Sequence, residues 1–343
     1  MGFDPPRSWP RLTTLDLHVA GEPLRIVTGG FPELPGDTML ARRRHAREHC
    51  DALRRALMLE PRGHADMYGC IPTAPVTPDG DVGVLFLHNE GYSTMCGHGI
   101  LGLAVGGLEA GLFEPSADAE GAPLVRIDTP AGRVTARPEL EAGRVRSVSF
   151  LNVPSFALAL DCEVDVPGLG RVRYDLAFGG AFYAYVDAGE LGVELVPSNA
   201  ARVIEVGTRI KRAVAAAGPI AHPAGEPDLG FLYGTILVQR GPDVRASRNA
   251  CVFADGELDR SPTGTGVSGR AALHCARGEL APGEWIAVES LIGTRFHVRA
   301  AGRARAGRLE AIVPEVRGTA YVTGQHEFYL DPGDPLRDGF LVR

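Results

Sequence analysis

The chain has 343 residues, 45% of them hydrophobic and 22% charged, a composition that supports a sizeable folded core and argues against disorder. Its formal net charge of -7 and pI near 5.8 argue against a nucleic-acid binder, which presents a basic face. No apolar run approaches the roughly 18 residues that a membrane span needs.

The N-terminal MGFDPPRSWPRL lacks the apolar stretch of a secretory signal, and Pro6 stands where N-myristoylation requires Ser or Thr. Beyond it, TTLDLHV and EPLRIVTG alternate like strands. MLARRRHAREHCDALRRALMLE then reads as one helix, started by Asp37 or Thr38. A strand-like DVGVLFLHN is followed by a helix in GHGILGLAVGGLEAG, then by strands in LVRIDTPAGRVTARPE and VRSVSFLNV. LNVPSF, Leu151 to Phe156, follows a strand, carries a proline and is the best candidate boundary. RVRYDLAFGGAFYAYVD, FLYGTILVQ, WIAVESLIGTRFHVRA and LEAIVPEV are strand-like. Between them lie helical ARVIEVGTRIKRAVAAAG and TGVSGRAALHCARGE. The pattern predicts a strand-rich α+β protein without a regular βαβ rhythm, and the length suits about two domains.

The six cysteines, Cys50, Cys70, Cys96, Cys162, Cys251 and Cys275, form no CxxC pair, which argues against a zinc ribbon or a redox dithiol. With no export signal they read as reduced thiols in a cytoplasmic protein. Lys211 is the only lysine, against 34 arginines, and its place in a helical stretch predicts a solvated face. Pyridoxal chemistry, which needs a buried Schiff-base lysine, is therefore disfavoured.

One internal echo stands out. Cys96-Gly97-His98-Gly99-Ile100 and Thr263-Gly264-Thr265-Gly266-Val267 share the form X-Gly-x-Gly-aliphatic, 167 residues apart (263 − 96), close to half the chain. The echo suggests two similar domains, each offering a helix N-terminus. At such a start, the free N–H groups and the dipole favour a thiolate at Cys96 and an anion beside the backbone of Gly97 and His98. His98 itself could be a base, a ligand or only a helix-start residue. Gly264 and Thr265 offer the same anion-binding backbone at the second start, and Asp259 just ahead could grip a cationic amine. Two helix starts clasping a carboxylate, with an aspartate for the amine, describe an α-amino acid site.

MCGHG and DRSPTGTG, with DLHVAGEPLRIV, NVPSF, GGAFYAYVD, DLGFLYGTIL, IGTRF and GQHEFYLDPGDPL in the same order, resemble the proline racemase family along nearly the whole chain. The resemblance implies two α/β domains, each a β-barrel-like sheet around a central helix, with the site between them. It places residues 1–150 plus 313–343 in the first domain and 151–312 in the second. Racemases and epimerases of the family use two cysteines on opposite faces of the substrate α-carbon. Here Cys96 matches the first, but Thr263 occupies the second position, and a threonine hydroxyl is a poor base and a poor acid. The Cys/Thr pairing resembles the family's trans-3-hydroxy-L-proline dehydratases.

That resemblance implies cofactor-independent dehydration of trans-3-hydroxy-L-proline to Δ1-pyrroline-2-carboxylate, with no metal. Cys96 takes the α-proton, Thr263 withholds a second base, and Gly97, His98, Asp259, Gly264 and Thr265 bind the substrate. The proton on Cys96 is expected to return, directly or through water, to the leaving hydroxyl. The expected partner is a small imino acid, with neither nucleic acid nor membrane, and a homodimer is the candidate assembly. A hydroxyproline 2-epimerase or proline racemase is the nearest alternative, and a Cys-dependent hydrolase or transferase and a non-catalytic binder are more remote. His18, Glu22 and His88 receive no role.

Overall fold

The computed structural model describes residues 4–241 and 246–342. The N-terminal reading thus falls partly on residues outside the described ones. Strands β1 (Arg11–Val19) and β2 (Glu22–Gly29) form an antiparallel hairpin. Helices α1 (Met39–His49) and α2 (Asp51–Met58) carry the chain to β3 (Tyr68–Thr73), which runs parallel to β2. Next, β4 (Val82–His88) pairs antiparallel with β3 and with the two-residue β5 (Tyr92–Ser93), which leads into α3 (Gly97–Glu109). After a short β6 (Ser116–Ala117), β7 (Pro123–Thr129) returns parallel to β4, and β8 (Gly132–Glu141) and β9 (Arg144–Leu151) complete a meander.

The second half repeats this plan. Strands β10 (Phe156–Val166), β11 (Gly170–Phe178) and β12 (Phe182–Asp187) are antiparallel. Helix α4 (Ala200–Ala217) crosses to β13 (Leu232–Arg240), parallel to β12. An antiparallel β14 (Ala246–Phe253) and the two-residue β15 (Glu257–Leu258) lead into α5 (Gly264–Ala276). β16 (Ile286–Glu289) then returns parallel to β14, and β17 (Arg295–Ala306) and β18 (Leu309–Gly318) form the closing meander. β18 also pairs with β9, and β19 (Ala320–Tyr329) returns to β1, so the sheets of the two halves are continuous. Each half thus contains two parallel crossovers, the second made by a helix that starts on X-Gly-x-Gly.

Helices α3 and α5 are the axes of the two halves. Gly97 to Gly107 and Gly264 to Leu273 are buried throughout, and the buried polar residues of α5, Thr265, Ser268 and Arg270, are each hydrogen-bonded. Strands β1, β2, β8, β9 and β19 pack around α3, and β10, β11, β12, β17 and β18 around α5. Ile100, Leu101 and Leu103 are wholly enclosed, each stabilising the fold by about 1.5–3 kcal/mol relative to exposure. Among the described residues no helix is long and apolar enough to cross a membrane.

The structure corrects two local expectations. The long N-terminal helix is two helices: Thr38 caps the first, accepting from the Ala41 N–H at 3.1 Å, but at Cys50 the backbone leaves helical geometry (φ -124°, ψ 10°). Lys211 is not on a solvated face, because its ammonium donates to the Ala254 carbonyl and burial lowers its pKa. LNVPSF joins β9 to β10 with Asn152 buried, its amide donating to the Gly179 carbonyl (2.8 Å) and Ser268 Oγ (2.9 Å), so the segment is a packed junction.

Candidate active site

The starts of α3 and α5 meet backbone to backbone. A Cβ built on Gly97 would lie 2.4 Å from Gly264 Cα, and one on Gly264 would lie 2.6 Å from Gly97 Cα. Glycine is required at both positions because no side chain fits between the two backbones. The first-turn N–H groups of Gly97, His98, Gly264 and Thr265 have no acceptor in the hydrogen-bond network of the described residues. Orphan donors from two helix starts therefore converge, the arrangement that suits a carboxylate.

On one side stands Cys96, the N-cap of α3, with extended backbone (φ -145°, ψ 114°). Its sulfur accepts from the Gly99 N–H at 3.2 Å and lies 3.2 Å from His98 Nδ1. Burial pushes the thiol well above its ordinary pKa, the Gly99 N–H pulls it down, and the Asp259 charge raises it further. His98 is driven the other way by burial, to about 4, against the pull of Asp259, so its ring is neutral at physiological pH.

On the other side stands Thr263, the residue before α5. Its φ of 66° is in the left-handed region, an uncommon place for a β-branched residue and a strain typical of functional loops. Its hydroxyl does not cap the helix but donates to Asp259 Oδ2 at 2.7 Å, while the Ser261 N–H donates to Asp259 Oδ1 at 2.7 Å. Asp259 is only 4% exposed yet its carboxylate is held from two directions.

The cavity between the two starts has a volume of about 20 Å³, room for roughly one water. All seven residues singled out in the sequence line it: Cys96, Gly97, His98, Asp259, Thr263, Gly264 and Thr265. No Lys or Arg among the described residues does, so no cationic side chain lines the cavity beside the backbone N–H groups. A larger hollow of about 610 Å³ around Phe31, Pro72 and Leu112 has neither Cys nor His in its lining. Among the described residues no three His, Cys, Asp or Glu side chains converge as metal ligands.

Sequence reasoning missed the rest of the wall: Tyr68, Met95, Tyr183, Tyr233, Cys251 and Phe253. Tyr183 and Tyr233 lie in GGAFYAYVD and DLGFLYGTIL, segments that carry the family resemblance, but inside strands they read as core. The Tyr183 hydroxyl is 2.7 Å from Thr265 Oγ1, and the Tyr68 hydroxyl is 2.5 Å from Ser93 Oγ. The three residues left without a role lie outside the cavity wall. Buried Glu22 accepts the Arg260 N–H at 2.6 Å, His88 Nδ1 lies 3.2 Å from Glu257, and His18 Nδ1 accepts from the Gly21 N–H.

Two helix starts in contact, a thiol on one side and a hydroxyl-braced carboxylate on the other, make up the candidate site. The proline racemase family profile matches residues 14–341, and the chain belongs to that family. It is similar to trans-3-hydroxy-L-proline dehydratase of Colwellia psychrerythraea, 46% identical over 98% of this chain and 94% of the relative. It is also similar to 3-hydroxyproline 2-epimerase of Burkholderia multivorans, 44% identical over 97% of this chain and 98% of the relative. Among solved structures it resembles a hydroxyproline epimerase from Agrobacterium vitis with bound trans-4-hydroxy-L-proline. The TM-score is 0.90 and the identity 31%, over 97% of this chain and 96% of that one. The two-domain α+β fold is that of these proteins.

Proposed function

We propose that this protein is a trans-3-hydroxy-L-proline dehydratase, a hydro-lyase that needs no cofactor and yields Δ1-pyrroline-2-carboxylate. The observation that carries the reading is the pair of touching helix starts with a thiol at Cys96 and only a hydroxyl at Thr263. The substrate carboxylate takes the N–H groups of Gly97, His98, Gly264 and Thr265, and the ring ammonium takes Asp259. That ammonium offsets the charge that disfavours the Cys96 thiolate, so the base is generated where its substrate is bound. Cys96 removes the α-proton, and the helix starts stabilise the charge building on the carboxylate. Thr263 spends its proton on Asp259 and offers no second thiol, so the carbanion collapses by expelling the 3-hydroxyl. The relatives named as trans-3-hydroxy-L-proline dehydratases support this reading.

A cavity of about 20 Å³ is smaller than the ring it must hold, so entry requires the two halves to part. We take these halves to be domains of residues 1–150 plus 313–343 and residues 151–312, working in the cytoplasm as a candidate homodimer. The return of β19 to β1 supports the placing of the C-terminal segment.

The test is incubation with trans-3-hydroxy-L-proline and trapping of the cyclic imine with o-aminobenzaldehyde. A trapped imine at catalytic turnover is expected, and its absence overturns the assignment. A 2-epimerase is the second reading, favoured by the Burkholderia multivorans relative. Chiral analysis of recovered substrate distinguishes it, because an epimerase accumulates the C2-inverted imino acid.

A further inference from the structure

Dehydration must deliver a proton to the leaving oxygen, because hydroxide is a poor leaving group and departs as water. The sequence predicts that this proton returns from Cys96, and its route is the question. In trans-3-hydroxy-L-proline the α-hydrogen and the 3-hydroxyl share a ring face, so the leaving oxygen faces the half of the site that bears Cys96. The donor must therefore stand beside Cys96 and be protonated when the C–O bond breaks.

Tyr68, the first residue of β3, meets both conditions. It is 2% exposed, lines the cavity and comes from the same half as Cys96. Its ring packs edge-on against His98 with centroids 4.7 Å apart, which points it along the thiol side of the site. Its hydroxyl lies 2.5 Å from Ser93 Oγ and 3.4 Å from the Tyr233 hydroxyl, so a chain of O–H groups ends in the cavity. Burial, with the Cys96 charge next, pushes the phenol well above its ordinary pKa and keeps it protonated. Tyr68 in turn pulls the raised Cys96 thiol pKa back down, which favours the thiolate. The other donors fit less well: His98 is a neutral ring, a weak acid, and Tyr183 is engaged with Thr265 on the opposite half.

We propose that Tyr68 is the catalytic acid that protonates the departing 3-hydroxyl and is itself reprotonated by Cys96. The inference rests on the proposed dehydration. The step closes on itself. The Cys96 thiolate forms S–H as the Cα–H bond breaks, and the electron pair of that bond becomes the C2–C3 double bond as C3–O breaks. The Tyr68 O–H proton passes to the leaving oxygen, which departs as water. The Cys96 S–H proton then moves to the Tyr68 oxygen and restores thiolate and phenol. The enamine so formed tautomerises to Δ1-pyrroline-2-carboxylate by moving a proton from nitrogen to C3, with no oxidant or reductant.

The test compares wild type with Tyr68→Phe in deuterated water, following imine formation and deuterium at C2 of recovered substrate. Imine formation is expected to fall about 100-fold or more. Exchange at C2, which needs only Cys96, is expected to fall by less than about tenfold, so the exchange-to-elimination ratio rises at least tenfold. With trans-3-fluoro-L-proline, whose leaving fluoride needs no proton, the deficit of Tyr68→Phe should shrink at least tenfold. Two results overturn the assignment: Tyr68→Phe forming imine at the wild-type rate, or losing exchange and elimination together with no recovery on the fluoro substrate. If Tyr68→Phe does not fold, Ser93→Ala, which removes a partner of the phenol, should raise the same ratio, and an unchanged ratio overturns it. A wild-type enzyme that forms no imine instead removes the proposed dehydration, and the role of Tyr68 with it.

Discussion

Helices α3 and α5 have the same length, the same glycine-rich entry, the same place in each half and near-complete burial, yet they present opposite chemistry. At α3 the N-cap is an extended Cys96 whose sulfur takes the Gly99 N–H, a bond that favours charge on sulfur against the burial that opposes it. At α5 the residue in the same place is twisted to φ 66°, caps nothing, and turns its hydroxyl back to Asp259. One backbone plan thus carries a thiol at one start and, at the other, a hydroxyl that braces a carboxylate. Two copies of a motif therefore need not carry two copies of a function.

The largest expected effect removes the active member of the pair. Cys96→Ser should lower the rate of imine formation about 10³-fold, the weight of a positioned general base, with little change in thermal stability. Full turnover by Cys96→Ser would refute the assignment of the base.

Gly97→Ala breaks the contact between the two starts instead. Its Cβ meets Gly264 backbone at 2.4 Å, where no flexible side chain can yield, so the halves must shift. Misplacement on the order of 1 Å costs about 100-fold in rate. Steady-state kinetics with a parallel melting curve would measure both the rate and the strain.

At the other start, Thr263→Val deletes the 2.7 Å bond to Asp259, worth about 1 kcal/mol. A loss of about fivefold in kcat/KM is expected, most of it in KM, because Asp259 is the proposed partner of the substrate amine. Thr263→Cys makes the two starts alike and should yield C2-inverted imino acid on chiral chromatography. A variant confined to dehydration would count against the explanation of the threonine.

The smallest effect concerns Glu22, buried behind Asp259 with Oε1 unpartnered. Burial, then the Asp259 charge, raises its pKa well above 4.5. The folded protein thus binds this proton more tightly than the unfolded chain does. The resulting stability is complete below the ordinary carboxyl pKa and is lost as pH rises through the raised value. Glu22→Gln has no proton to lose and should melt higher than wild type at pH 8, by about 2 °C or more, with the gap closing at pH 5.

Much of the site was legible because its chemistry is concentrated in two short segments. X-Gly-x-Gly before an apolar run signals a helix start approached closely by something else, and both copies line the cavity. Cys251 and Tyr68 were not legible for a shared reason. They sit on β14 and β3, neither of which shows strand alternation: YGCIPT carries a glycine and a proline, and ASRNACVF turns apolar only near its end. These strands form because β4 and β13 supply their ladders, a partnership that does not appear in local pattern.

Composition, most of the strand-and-helix sequence and the two helix starts, with cysteine in one and threonine in the other, were determined by the sequence alone. They follow from local preferences of the chain and from the identity of residues within a few positions of each other. The closeness of Gly97 to Gly264, the bracing of Asp259 by Thr263, the burial of Glu22 and the standing of Tyr68 beside Cys96 were decided only by the tertiary structure. Each depends on side chains far apart along the chain being driven from water into one small cavity, where burial, rather than residue type, sets which group keeps its proton.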